Sequence, residues 1–136
     1  MALFSIFEIA GSSMSAQSVR LNATASNLAN ATNVAGTAEE AYRGKHPVFE
    51  TILNDLDNEA SAGVSVRQVI ESQVEPPRIY EPGHPLADPD GYIYLSNVSV
   101  MDEMVDMIAA SRAYQNSVEV LNTSKQLMLR TLAIGQ

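Results

Sequence analysis

The two histidines are the side chains of this chain best suited to bind a metal ion or to act as a general base. Each is followed by proline, as His46-Pro47 and His84-Pro85, which favours extended backbone and predicts a loop position. They do not form the His-x-x-x-His spacing that would place two ligands on one face of a helix. We therefore expect no metal site at these residues.

Three acidic side chains alternate in the way that the first ligands of a calcium-binding loop do. They are Asp55, Asp57 and Glu59. A calcium loop that starts there needs a glycine at position 60 and a closing glutamate at position 66, and the chain has Ala60 and Val66. The sequence favours a solvated acidic turn over a calcium site.

Other catalytic patterns are missing from the sequence. It has no nucleophile elbow, no phosphate-binding glycine loop with lysine and no dinucleotide fingerprint. The absence of cysteine excludes disulfides and thiolate chemistry, and a net charge of −8 argues against nucleic-acid binding. We expect no enzyme and no cofactor, although a hydrolase using His84 and the central acids is a third alternative to the functions considered below.

The negative charge is concentrated in the middle of the chain. Residues 34–97 hold eleven acidic and four basic residues, whereas the two ends are nearly neutral. A charged segment is solvated, so we expect a small β-rich outer subdomain at 34–97. Residues 1–33 and 98–136 would then form one discontinuous helical domain.

The elements that would position these segments are two long helices, from residue 3 to about 30 and from 100 to 132. Each has a seven-residue repeat of large apolar residues, which lets one helix pack along another. The repeats are Phe7, Met14, Leu21 and Leu28, and Met107, Tyr114, Leu121 and Met128. Small residues, Gly11, Ser18 and Ala25, follow four positions after the first three and would let another backbone approach closely. We expect a mainly α fold with a small β insert, in which the two helices pack as a coiled-coil-like pair.

Short-range signals predict where these helices begin and end. Asn27, Asn30, Asn33 and Gly36 tolerate the left-handed conformation that ends a helix. Asn97 or Ser99 could cap the second helix.

Between the helices, residues 64–70 alternate as a strand does. Segments 78–80 and 92–95 read as short strands on either side of a type I turn at 88–91. The middle therefore predicts a small, twisted β-hairpin unit.

No apolar run is long enough to span a bilayer, and the first ten residues make a poor signal peptide because they lack a basic region and contain Glu8. We expect the protein to stay in the cytoplasm or to leave by a route that removes no leader.

Several motifs resemble a known family. The segment Asn27-Leu28-Ala29-Asn30 is similar to the signature near the N-terminus of bacterial flagellar rod and hook proteins. The segment from Tyr80-Glu81-Pro82-Gly83 to His84-Pro85-Leu86-Ala87 resembles the central signature of the proximal rod proteins within that family. Segments 103–105, 110–115 and 118–123 resemble its second helix, so the likeness covers nearly the whole chain.

The resemblance implies a structural subunit of the proximal rod, the drive shaft that crosses the periplasm, transmits torque and surrounds the export channel. Its terminal helices would form the inner layer and its middle unit would face outwards. Its partners would be other rod proteins, copies of itself and the flagellar type III export apparatus, which exports such proteins without a cleaved signal peptide. It implies no nucleic acid, no membrane insertion and no small-molecule substrate.

The expected assembly interface lies on the terminal helices. Its residues are Phe7, Met14, Leu21, Asn27, Leu28, Asn30, Met107, Tyr114, Val118, Leu121, Met128 and Leu132. The sequence leaves open whether each helix packs on its own partner helix, on a neighbour or on both. A secreted, soluble coiled-coil adaptor is the alternative function.

Overall fold

Along the chain, a small β region lies between two long helices. The computed structural model describes residues 2–53 and 62–134. The elements are α1 (Ala2–Asn30), β1 (Val34–Ala35), β2 (Lys45–Leu53), β3 (Ala62–Glu71), β4 (Arg78–Tyr80), β5 (Tyr92–Leu95) and α2 (Val100–Ile134). This confirms the expectation of two helices with a small β insert between them.

The helices α1 and α2 pack against each other in opposite directions. Polar side chains of α1 at steps of seven residues contact positions of α2 that fall as the α1 number rises. The pairs are Ser13 with Ser117 at 3.1 Å, Arg20 with Asp106 at 2.7 Å, and Asn27 with Glu103 at 2.9 Å. The spacing ties the two ends of the chain together along much of α1.

The most deeply buried residues of the helix pair are small or polar. On α2 they are Glu103, Ala110 and Ser124, which are separated by seven and fourteen residues, and Ala110 has no exposed surface. The large residues of the predicted repeats, such as Met107 and Leu121, are half-buried beside them. Small side chains along the contact let the two helices approach closely, while the large ones cover its flanks.

The small residues of α1 lie on a different face from the one that contacts α2. Gly11, Ser18 and Ala25 are exposed. A Cβ atom added at Gly11 would meet no atom within 4 Å. Among residues 2–53 and 62–134, therefore, no other backbone uses the close approach that Gly11 permits.

Strands β2 and β3 form an antiparallel hairpin that packs on α1. Its register runs from Lys45 opposite Glu71 to Leu53 opposite Ala62, with an irregularity after Val48. The backbone N–H of Val64 donates to the Ser12 hydroxyl on α1 at 3.1 Å. Residues 54–61, which include Asp55, Asp57 and Glu59 discussed above, lie outside the described residues.

The second sheet has the strand order β1-β5-β4, and both pairs of neighbouring strands are antiparallel. The turn predicted at 88–91 is confirmed: the Gly91 N–H donates to the Asp88 carbonyl at 2.9 Å, and the Tyr92 N–H donates to the Asp88 carboxylate at 2.8 Å. Gly91 has a φ of +82°, and a Cβ there would lie 2.9 Å from the Tyr80 ring. Only glycine meets both conditions without strain.

The start of α2 confirms one of the two predicted caps, and the end of α1 corrects an expectation. Ser99 caps α2, since the Asp102 N–H donates to its hydroxyl at 3.4 Å, whereas Asn97 instead accepts from the Gly44 N–H and donates to the Val74 carbonyl. The left-handed cap expected after α1 is wrong, because Gly91 is the only residue with positive φ in the described ranges.

At the end of α1, side-chain amides satisfy the polar groups without a left-handed residue. The Asn30 amide donates to the Ser26 carbonyl at 2.8 Å, and the Asn33 amide donates to the Asn30 side-chain oxygen at 2.8 Å.

Candidate assembly surface

Asn27 holds three parts of the chain together. It is fully buried at the end of α1. Its amide donates to the Lys45 carbonyl and to Glu103 Oε1, both at 2.9 Å. Its oxygen accepts from the Lys45 N–H at 2.8 Å and from the Tyr42 hydroxyl at 3.0 Å. We call these four residues the Asn27 cluster. Both donors and both acceptor positions of the amide are used within the chain.

Glu103 is the member of the Asn27 cluster that contacts Asn27 through a charged group, and the residue is 5% exposed. One carboxylate oxygen accepts from Asn27, while the other is buried and has no hydrogen-bond partner among the described residues. The residue lies in the first turn of α2, where the unpaired N–H groups of the helix favour negative charge. The helix end therefore offsets part of the cost of burying this carboxylate.

The two asparagines of the Asn-Leu-Ala-Asn motif have different positions. Asn27 is enclosed, so its contribution to an assembly is indirect and consists of fixing α1 against α2 and β2. Asn30 is half-buried and its amide bonds locally to the Ser26 carbonyl. The sequence motif alone did not distinguish them.

The remaining residues of the expected interface lie mostly on the flanks of the helix pair. Half-buried are Phe7, Met14, Leu21, Leu28, Met107, Tyr114, Val118, Leu121 and Met128. Leu132, near the end of α2, is 63% exposed. The chain thus covers part of each repeat and leaves part of it accessible to a neighbour.

Sequence reasoning missed an apolar surface on α2. Met101, Met104, Val105 and Ile108 are 73%, 50%, 64% and 54% exposed. We call them the outer α2 stripe. They follow one another at spacings of three, one and three residues, which places them on one face of the helix. The buried residues Glu103 and Ala110 lie on the opposite face. The same spacing rule applied to a second phase of the helix could have found them.

The candidate catalytic residues do not converge. His46 is exposed on β2, so the loop expected for it is wrong, although its backbone is extended. His84 lies in a turn as expected, and its Nδ1 accepts from the Leu86 N–H at 3.1 Å. Within residues 2–53 and 62–134 no three His, Asp or Glu side chains are grouped as a metal site would require. No helix in these ranges is long and apolar enough to cross a membrane.

An open groove of about 270 Å³ lies between α1 and α2. Its lining is mostly apolar and contains no titratable side chain. The lining residues are Ile6, Ile9, Ala10, Ser13, Asn116, Ser117 and Val120. Such a groove suits an apolar contact rather than acid–base chemistry.

Two family models match the helical parts of the chain. Residues 7–36 match the family described as "Flagella basal body rod protein", and residues 90–134 match "Flagellar basal body rod FlgEFG protein C-terminal". A protein of Escherichia coli O6:H1 named "Flagellar basal-body rod protein FlgC" is 54% identical over 136 residues, covering 100% of both chains. The chain belongs to the FlgC family.

More distant relatives carry the same name. The chain is 52% identical over its full length to the FlgC of Salmonella typhimurium. It is 41% identical over 138 aligned positions to the FlgC of Buchnera aphidicola from Schizaphis graminum, again with full coverage of both chains. The resemblance inferred from the motifs is confirmed. The matched ranges include Asn27, the Asn27 partner Glu103 and the whole outer α2 stripe.

Proposed function

We propose that the chain is a structural subunit of the flagellar basal-body rod and acts by assembly rather than by catalysis. The observation that carries this is the exposed outer α2 stripe, an apolar helix face that the chain itself does not cover. Contiguous exposed apolar surface marks a site of protein association. Sequence identity of 54% and 52% over the full length to two proteins named as rod components supports the same conclusion.

In this proposal the terminal helices, within residues 1–33 and 98–136, pack as a coiled-coil-like pair and form the inner layer around the export channel. Residues 34–97 form the outer subdomain, in keeping with their excess of acidic residues. Torque passes between subunits through contacts of the helices. The Asn27 cluster contributes by holding α1, α2 and β2 in a fixed relation.

The partners of the subunit are other rod proteins, copies of itself and the flagellar type III export apparatus. Its place is the periplasmic part of the basal body, which it reaches without a cleaved signal peptide. The nearly zero net charge of each terminal segment supports this arrangement, because a tube of stacked helices brings many copies of each helix together.

Deletion of the gene in its own motile host tests the proposal. We expect non-motile cells whose basal bodies keep the inner-membrane ring but lack a complete rod, as seen by electron microscopy, and restoration of both by the wild-type gene. Normal basal bodies and swimming after deletion would contradict the proposal. The soluble-adaptor alternative would then gain support if the purified protein formed a discrete dimer.

The substitution Leu121→Asp, which the heptad suggests as a block to assembly, is less specific than expected. Leu121 is half-buried beside the chain's own α1, so the change would also disturb the subunit. Met104→Asp is the better test because Met104 is half exposed on the outer α2 stripe. We expect Met104→Asp to block rod assembly while the variant is still exported. The control is Gln126→Asp, at an exposed polar position of the same helix, which should assemble normally.

A further inference from the structure

Two exposed helix faces of this chain differ in the size of their side chains. The outer α2 stripe presents long apolar side chains. The outer face of α1 presents small ones at alternating steps of three and four residues, and all of them are exposed. They are Gly11, Ser15, Ser18, Asn22, Ala25 and Ala29, which we call the outer α1 face.

The two faces are complementary in the size of their side chains. Large side chains on one helix pack closely when the facing helix has small ones, because the backbones can approach. At Gly11 even an added Cβ would meet no atom of the described part of the chain within 4 Å. Both faces belong to the same chain and point away from the α1–α2 contact, so a single copy cannot bring them together.

Charge gives the register of this contact. The α1 helix has one acidic residue, Glu8, and one basic residue, Arg20, and Arg20 is already paired with Asp106. Glu8 is exposed, and it takes part in neither of the ion pairs found in the described ranges. The same is true of Arg112, which lies one turn beyond Ile108 on the outer α2 stripe side. These two opposite charges are the natural partners across an interface.

Pairing Glu8 of one copy with Arg112 of the next places the remaining residues consistently. If the two helices run antiparallel, as α1 and α2 do within the chain, Ser15 lies opposite Val105 and Ser18 lies opposite Met101 or Asp102. Within the chain, Asn27 lies opposite Glu103. The contact between copies is therefore shifted by about ten residues, or about 15 Å at ~1.5 Å per residue.

We propose that the outer α2 stripe of one copy packs antiparallel on the outer α1 face of a second copy, with Glu8 paired to Arg112. The proposal rests on the proposed rod function and names the faces that meet. Because the two faces are different, a pair of copies keeps one face of each kind free, the outer α1 face on one copy and the outer α2 stripe on the other. Contacts of this kind continue into an open series with an axial step rather than closing into a dimer.

The absence of cysteine in the natural chain makes the contact testable by disulfide formation. We would introduce Ser15→Cys and Val105→Cys together into the gene that complements the deletion, isolate basal bodies and oxidise them. Both positions are exposed and lie on opposite outer faces, so they cannot join within one copy. We expect a ladder of covalent multimers of this chain on a non-reducing gel. Ser15→Cys combined with Arg67→Cys, on the β2–β3 hairpin, serves as the matched control and should give no ladder.

Charge reversal provides a second measurement. We expect Glu8→Arg and Arg112→Glu each to reduce swimming, and the double variant to restore it, while Arg67→Glu leaves swimming unchanged. Rods that assemble without a ladder, together with no rescue by the double variant, would overturn this contact and leave the rod function standing. A rod in which this disulfide does not form, and in which position 105 instead cross-links to another rod protein, would also overturn it. Failure of the wild-type chain to enter basal bodies would instead refute the proposed function.

Discussion

Asn27→Ala is the substitution that tests most sharply how this subunit is held together. It removes four hydrogen bonds and leaves both backbone groups of Lys45 and one Glu103 oxygen without their partner in a buried site. At a net value of about 1 kcal/mol per hydrogen bond, with buried unsatisfied groups at the upper end, the loss is about 3–5 kcal/mol. A domain of this size is stable by only about 5–15 kcal/mol. The variant should therefore lose at least about a fifth of its stability, and more if the wild-type chain is near the lower end of that range.

The assay is urea unfolding of the purified chain followed by circular dichroism, with Asn30→Ala as the matched control from the same motif. Asn30 is half-buried, and its side chain makes two local hydrogen bonds, one of them exposed, so we expect its loss to cost about 1 kcal/mol or less. Asn27→Asp separates hydrogen bonding from volume. It keeps the shape but places a carboxylate against Glu103 and the Lys45 carbonyl, and should destabilise at least as much as Asn27→Ala. Equal free energies of unfolding for Asn27→Ala and Asn30→Ala would refute this reasoning.

Three further substitutions test local features. Gly91→Ala should destabilise by about 1–2 kcal/mol from the positive φ, with more from the clash with the Tyr80 ring, whereas Gly83→Ala should be nearly neutral in the same denaturation assay because its Cβ would be free. Ser99→Ala should cost about 1 kcal/mol as the loss of an N-cap, and no change in the unfolding midpoint would contradict the cap. A double-mutant cycle on Arg20 and Asp106 should give no more than about 1 kcal/mol, falling with added salt, because both side chains are partly exposed.

Local signals in the sequence predicted much of this fold. The first helix ends at Asn30, where the sequence placed its end although not the way it is capped, and the second begins after the predicted cap Ser99. The short strands β4 and β5 flank the expected turn because Gly91 provides the one conformation that closes it. Each of these features depends on residues within a few positions of one another, which is why composition and spacing were sufficient.

Features that depend on distant contacts were not predicted. Strand β2 spans Lys45–Leu53, where no strand was identified from the sequence, because Pro47 weakens the local signal and pairing with β3 provides the missing stability. The burial of Asn27 depends on partners fifteen or more positions away along the chain. No property of the asparagine itself distinguishes it from the half-exposed Asn30.

The outer α2 stripe was not predicted for a related reason. Helix α2 carries two apolar patterns at different phases, the predicted repeat that includes Tyr114 and the outer α2 stripe. Periodicity shows that each lies on one face but not which face the chain covers itself. The packing of α1 decides this, and it leaves the outer α2 stripe accessible.

The most direct test of the central claim is a cryo-electron microscopy map of the intact basal body from the organism that carries this gene. The proposed function predicts density for this chain in the rod, with α1 and α2 on the inside around the channel and β2 and β3 on the outside. A rod without this chain, or one in which the β strands face the channel, would contradict it.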